Sequence, residues 1–240
     1  MHRTELIQGL ISKGKKKTYL EIGVNNGSTF FRIKCKKKIA VDPDFVFNPL
    51  KKQLWKIVNP YNLGNIFFKQ ESNAFFKSNA AYLNNLNGID IVFVDGLHTF
   101  RNSLEDILNA LKHLKQDGVI VVHDCYPKNE AAAMPTKTYP TKEEQNVEGW
   151  TGAWSGDVWK SIVYLKEELS DLLNISVIKS DFGLGVITLK EKIDKSLTIN
   201  ENSFENINKL TYKEMIADSI TFLNLKEPIN HEKIIEDILL

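Results

Sequence analysis

The 240-residue sequence has only two cysteines, Cys35 and Cys125, which excludes a disulfide framework and the ligand spacing of a structural zinc site. It has no apolar run approaching a membrane span, and Met1-His2-Arg3-Thr4-Glu5 lacks the apolar core of a signal peptide. A reducing cytoplasm is the expected compartment. Acids are scarce at the start: residues 1–60 hold 13 Lys/Arg against 4 Asp/Glu, although the whole chain balances at +1. The lysines gather at Lys13 to Lys17, Lys34 to Lys38 and Lys51-Lys52. No stacking aromatics interleave with them as a single-strand groove requires, so they read as solvated edges that deter strand pairing, and nucleic acid is disfavoured as a partner. Prolines number 7, and three of them, Pro127, Pro135 and Pro140, fall in one aperiodic stretch.

What is present centres on Tyr19-Leu20-Glu21-Ile22-Gly23-Val24-Asn25-Asn26-Gly27-Ser28. An apolar run ends on an acid and turns through two glycines, as a buried parallel strand does before a tight turn. Asp42 follows a second apolar run, Ile39-Ala40-Val41, at the distance from Glu21 at which a ribose-binding carboxylate sits on the second strand of a nucleoside-binding unit. The third glycine of a dinucleotide loop is missing, which disfavours an NAD-dependent oxidoreductase. Ser28-Thr29 predicts the start of a helix, and another is expected over Asn48 to Val58. Ile66-Phe67-Phe68 reads as a third strand, with a helix from Ala74 to Leu86 after Ser72.

Ile89-Asp90-Ile91-Val92-Phe93-Val94 and Val119-Ile120-Val121-Val122 are continuous β-rich runs, the mark of strands covered on both faces. They run out into Asp95-Gly96-Leu97-His98 and His123-Asp124-Cys125. Between them lies a helix with a capping-box-like start at Asn102 and Glu105, and Asp117-Gly118 is expected to close the unit. Right-handed crossovers place the ends of parallel strands on one edge, so Glu21, Asp95 and Asp124 are predicted to converge in one cleft. Tyr126 to Ser155 has no periodicity and leaves from that edge, which predicts a lid over the site. It shows no buried strand, so removing Asn129 to Asn146 is expected to leave the domain folded. Asp157 is the expected N-cap of the next helix. A hairpin over Ile175 to Leu189 follows, and residues 191–240 read as one or two amphipathic helices, for example Tyr212 to Leu225, that cap the fold or form a homo-oligomer.

Glu21-Ile-Gly-Val-Asn-Asn-Gly27, Val41-Asp42-Pro43, Phe93-Val-Asp-Gly-Leu-His98, Gly118-Val-Ile-Val-Val-His-Asp124 and Gly156-Asp-Val-Trp-Lys160 together resemble the class I S-adenosylmethionine-dependent methyltransferases. The likeness is to the cephalosporin hydroxylase-like and catechol-O-methyltransferase-like groups. The resemblance implies an α/β fold: a Rossmann-like, mostly parallel sheet with a C-terminal antiparallel hairpin and helices on both faces. It divides the chain into a helical lead-in (1–17), a methyltransferase domain (18–190, with 126–155 as lid) and a helical extension (191–240). It implies S-adenosyl-L-methionine as cofactor, lined by Glu21, Gly23, Gly27, Asp42, Ser72 and Asp95. Asp95 and Asp124 would hold Mg2+ or another divalent cation, though His123 and Cys125 depart from the acid or Asn that often flanks the second of these carboxylates. His98 would act as base, with Asp95 and Asp124 completing the catalytic set. The implied reaction is O-methylation of a small-molecule acceptor, a sugar or natural-product hydroxyl. A cofactor-binding regulatory module without catalysis is the non-enzymatic alternative. Asn59-Pro60-Tyr61 only superficially resembles the Asn-Pro-Pro-Tyr of amino methyltransferases, because it follows a helix.

Overall fold

Two properties of the strands set the architecture: the central ones are apolar on both faces, and all but the last two connections are crossovers. The computed structural model describes residues 1–240. Five parallel strands are β1 (Thr18–Ile22), β2 (Lys37–Asp42), β3 (Ile66–Lys69), β4 (Ile89–Val94) and β5 (Leu114–Val122). The hairpin strands β6 (Leu173–Ile178) and β7 (Leu184–Leu189) and a short β8 (Leu225–Lys226) complete one sheet, ordered β3-β2-β1-β4-β5-β7-β6-β8. Only the β5–β7 and β6–β7 pairings are antiparallel. The expected fold class and the expected C-terminal hairpin are therefore what the chain forms.

Alternate residues along the strands feed two cores. Leu20, Ile22, Val92, Val94, Ile120 and Val122 face the larger one, covered by helices α5 (Phe100–Leu111), α6 (Trp159–Leu169) and α7 (Glu201–Asn208). Tyr19, Ile91, Phe93, Val119 and Val121 face the other, covered by α1 (Arg3–Lys13) and α10 (His231–Leu239). Burying both faces is what a parallel sheet requires, and it accounts for the near-continuous apolar runs. Helix α5 shows the logic locally. Leu104, Ile107, Leu108 and Leu111 share one buried face. The Thr99 hydroxyl accepts from Asn102 N at 3.3 Å, so the cap is Thr99 rather than Asn102, and Glu105 instead accepts from Asn73 Nδ2 at 2.5 Å.

Other expectations are corrected. No helix forms at Ser28-Thr29; residues 28–32 are turns. Phe30, Phe31 and Ile33 are all buried, and three apolar residues in four do not fit one helical stripe. Their carbonyls are taken by side chains instead. Lys38 Nζ donates to Phe30 O at 2.6 Å, Asn59 Nδ2 to Phe31 O at 2.9 Å and Ile33 O at 3.0 Å, and Asn62 Nδ2 to Phe31 O at 2.9 Å. The Ala74–Leu86 segment is two short helices, α3 (Ser72–Ser78) and α4 (Ala80–Asn84), broken at Asn79. Helix α2 (Pro49–Val58) is close to its expected span. Asp117 and Gly118 lie inside β5, which starts at Leu114. Asp157 does not cap α6; its Oδ1 accepts from Phe100 N at 2.7 Å and so tethers the start of α5. Residues 191–240 hold four helices, α7, α8 (Tyr212–Ala217), α9 (Ser219–Leu223) and α10, plus β8, because Phe204, Met215, Leu223 and Ile235 each fill a core site. No helix is long and apolar enough to cross a membrane.

Gly23 has φ +81°, and a Cβ built there would lie 1.9 Å from Asp95 O. Gly23→Ala is expected to cost about 2–4 kcal/mol or to prevent folding. Gly64→Ala, where a Cβ meets nothing within 4 Å, should shift stability by less than about 0.5 kcal/mol. Urea unfolding of the two variants reads the difference, and equal midpoints would remove the steric argument.

Candidate active site

The register of the sheet gathers the polar strand ends. Ile22 pairs with Val41 on one side and Val94 on the other, and Val94 pairs with Val122. Gly23, Asp42, Asp95 and His123 therefore leave the sheet from a single row. The ladder continues into the loops, with Asp95 N donating to Ile22 O at 2.9 Å and His123 N to Val94 O at 3.0 Å. Strand order reverses at β1–β4, where the connections leave to opposite sides and open a crevice.

The crevice holds a cavity of about 430 Å³ whose wall includes Glu21, Gly23, Asn25, Asp95, His98 and Asp124. That volume falls in the range of small-molecule sites. Gly27, Asp42 and Ser72 do not line it. Gly27 has φ +72° and its absent Cβ makes room for the Phe31 ring at 2.3 Å, so both loop glycines serve the chain's own packing. Asp42 is buried behind the loop, accepting from Asn25 N and Asp44 N, each at 2.7 Å. Ser72 lies against Asp106, whose carboxyl burial pushes up to about 7, opposed by the serine's hydrogen bond. A larger cavity of about 1030 Å³ opens at the starts of β5 and β6, between Lys13, Asp117, Lys190 and Leu239. No imidazole lines it, and it is remote from the acid row.

Asp95, His98 and Asp124 each offer one donor atom, and the three lie within 4.8 Å of one another. His98 Nε2 is 3.5 Å from Asp95 Oδ1 and 3.4 Å from Asp124 Oδ2. Its Nδ1 lies 2.8 Å from the Trp154 carbonyl, to which it donates, and this directs Nε2 at the carboxylates. Asp124 holds φ +63°, a costly backbone for a side-chain-bearing residue. That turn leaves the Asp124 carboxylate 2.6 Å from His123 Nδ1.

Four contributors were not in the sequence-derived set. His123 Nδ1 is also 3.2 Å from Asp95 Oδ1, while its buried Nε2 has no hydrogen-bond partner. Arg3 Nη1 reaches Asp95 Oδ2 at 3.2 Å, and Arg3 Nε reaches Asp181 Oδ2 at 3.3 Å. Trp154 stacks on His98 with ring centroids 5.2 Å apart. His123 had a signal, its place beside Asp124. Arg3 and Asp181 come from the first helix and the hairpin turn, and nothing local marks them.

Opposite charges offset burial here. Burial alone would lower His98, but Asp124 and Asp95 outweigh it and raise the imidazole to about 9. His123 is raised well above its ordinary value against burial by Asp95 and Asp124. Burial acts to raise Asp95, yet the two histidines hold it well below the usual carboxylate range. Asp181 falls to about 2, burial being overcome by His123 and Arg3. Glu21 differs: burial pushes it up to about 8, against the hydrogen bond from the Tyr19 hydroxyl, so it is mostly protonated at neutral pH.

The ends of the 126–155 segment are clasped, while its outer part is exposed. Ser155 N and Gly156 N donate to Ala132 O at 2.8 and 3.0 Å, and Trp154 Nε1 donates to Met134 O at 2.8 Å. Ala131, Ala132 and Ala133 are buried, so removing Asn129 to Asn146 would strip part of the core. The segment's dispensable portion is shorter than its lack of strands suggested.

Residues 20–125 match a family described as a methyltransferase domain. No curated protein matches the sequence. Three solved structures share the fold. One is the O-methyltransferase TomG from Streptomyces achromogenes, involved in tomaymycin synthesis and in complex with SAM (12% identity, 79% of this chain and 80% of that one, TM-score 0.56). Another is an O-methyltransferase from Bacillus cereus in complex with SAH (10%, 78% and 80%, TM-score 0.50). The third is an SAH-bound methyltransferase from Podospora anserina (14%, 78% and 76%, TM-score 0.50).

Because the Asp124 charge is the largest single contribution raising His98, with Asp95 adding a hydrogen bond and a charge, Asp124→Asn should lower the His98 pKa from about 9 in the direction of its ordinary value of about 6.5. Histidine NMR titration of the metal-free protein reads this. An unchanged value would show that Asp124 does not govern the imidazole.

Proposed function

We propose, from the premise that residues 20–125 are a methyltransferase domain on the class I fold, that this enzyme transfers the methyl group of S-adenosylmethionine to a small-molecule hydroxyl. A sugar or natural product is the favoured acceptor class. The observation that carries the reading is one cavity with the Glu21–Asn26 loop on one wall and Asp95, His98 and Asp124 on the other. A dinucleotide fits poorly, since the turns at 28–32 offer no helix N-terminus to a pyrophosphate.

Roles follow from placement. Glu21, Gly23, Asn25 and Asn26 would bind the amino-acid end of the cofactor, whose sulfonium presents an electrophilic methyl group. Asp42 fixes the loop through Asn25 N and has unused lone pairs toward the ribose hydroxyls. Gly27 shapes the loop and Ser72 approaches from α3 without lining the cavity. The new O–CH₃ bond forms as the S–CH₃ bond breaks, the electron pair returning to sulfur and the hydroxyl proton passing to a base. The chain's work is alignment, exclusion of water and removal of that proton.

His98 Nε2 is the best-placed acceptor, but at about 9 it already carries a proton at neutral pH. The donor set of two carboxylates and an oriented imidazole fits a divalent cation. Such a cation, held by Asp95 and Asp124, would supply positive charge that displaces the imidazole's proton and acidifies the acceptor hydroxyl. His98 then serves either as third ligand or as base, since one lone pair cannot do both. The mostly exposed 136–149 stretch would close over the acceptor, a reading supported by the edge-on packing of Tyr139 against Trp154. Residues 1–17 and 191–240 would act as cover for the central domain.

Calorimetry should give micromolar-range binding of S-adenosylhomocysteine and none of NAD; the reverse would overturn the assignment. EDTA should lower turnover at least about tenfold if the cation works here, and full activity in EDTA would leave His98 as base alone. Replacing residues 141–147 with a Gly-Ser linker should leave S-adenosylhomocysteine affinity within about twofold while turnover falls by an order of magnitude or more. Unchanged turnover would make the segment a passive insertion.

A further inference from the structure

Helix α2 is built inside out. None of its residues is buried, and four apolar side chains stand in solvent: Leu50 is 80% exposed, Leu54 60%, Ile57 80% and Val58 61%. The spacing i, i+4, i+7, i+8 sets these four on one stripe. Lys51, Lys52 and Trp55 face the protein instead. Lys51 Nζ donates to Asn26 O at 2.7 Å, Lys52 Nζ sits 4.0 Å over the Phe67 ring, and Trp55 stacks on Phe31 at 6.3 Å. Asn48 and Pro49 cap and start the helix, so it is a formed element that turns a leucine-rich face outward. Scattered exposed apolar residues need no explanation, but a contiguous stripe does.

The charge around the stripe selects its occupant. Helix α2 carries Lys51, Lys52 and Lys56 and no acid. Between residues 32 and 63 eight basic residues, of which only Lys38 is buried, stand against two acids, Asp42 and Asp44. Asp42 is buried, and Asp44 is paired with Lys69 at 3.1 Å. A two-fold interface with a second copy would set lysine against lysine around the leucines, because such an interface is isologous. A surface that is apolar within and anionic at its boundary complements both features. We propose that α2 is the face by which the protein lies on an anionic lipid bilayer. Leu50, Leu54, Ile57 and Val58 enter the acyl boundary, and Lys56, without the intramolecular contacts that hold Lys51 and Lys52, reaches the headgroups. The exposed Arg32, Lys34, Lys36 and Lys37, which the catalytic reading leaves without a role, add to the electrostatic part. This docking is independent of the acceptor's identity.

Sedimentation with vesicles tests it, using the full chain, phosphatidylcholine alone, and phosphatidylcholine mixed with phosphatidylglycerol. The protein should sediment with the mixed vesicles and not the neutral ones, and added salt should weaken it. The double variant Leu54→Gln/Ile57→Gln changes only exposed side chains, so its thermal unfolding should match the parent while vesicle binding falls at least about tenfold. Lys56→Glu should weaken binding to the mixed vesicles. The proposal is overturned if the parent shows no preference for anionic vesicles, if the double variant binds as well as the parent, or if a concentration-dependent dimer disappears in that variant. The last outcome would assign the stripe to a second copy, and absence of vesicle binding would leave it to a protein partner.

Discussion

The contact on which the site depends is the approach of Gly23 to the backbone of Asp95. No side chain fits between them, so the loops after β1 and β4 touch where strand order reverses. That closeness brings a cofactor loop and an acid–imidazole cluster to one cavity. A Cβ at Gly23 would push the loops apart, and every distance in the cluster is set relative to that join. Gly156 does the same on the far side, where a Cβ would lie 1.8 Å from His98 O. The imidazole is thereby held between two backbone approaches that tolerate only glycine.

Within that frame the charges are mutually dependent. Three carboxylates, two imidazoles and the Arg3 guanidinium share a largely water-free space, and the shifts of Asp95, His98, His123 and Asp181 all oppose burial. Removing one member leaves the others with an uncompensated charge, which costs more than the pair contributes. The loosest link is His123 Nε2, which makes no hydrogen bond and faces Asp181 Oδ1 at 3.7 Å.

The fold was largely legible because burial on both faces writes itself as continuous apolar runs, and β1, β4 and β5 were read that way. Convergence of Glu21, Asp95 and Asp124 was legible because parallel strands end on one edge. What escaped was anything decided by residues far away. Ser28-Thr29 had a helix-start signature, but Lys38, Asn59 and Asn62 claimed the carbonyls a helix would have used. Asp157 had the chemistry of an N-cap, but it was spent on the neighbouring helix. Arg3 and Asp181 reach the site through tertiary packing that no local pattern encodes. Asp42 and Ser72 sit at the expected strand and helix ends, yet the cavity opens in front of them.

The side chains that replace the missing helix also impose an order of assembly. A helix satisfies its own backbone and can form as soon as it leaves the unfolded chain. The stretch Phe30–Ile33 has no such autonomy, because its carbonyls wait for Lys38 on β2 and for Asn59 and Asn62, up to 31 residues further on. Closing that span costs loop entropy before any reward is collected. The turns over Phe30–Ile33 therefore become rigid only after β2, α2 and the turn at Pro60 have docked. Their amides should be among the last to gain protection in a refolding pulse of hydrogen exchange, so the segment that follows the binding loop is made late by a device that then holds it firmly.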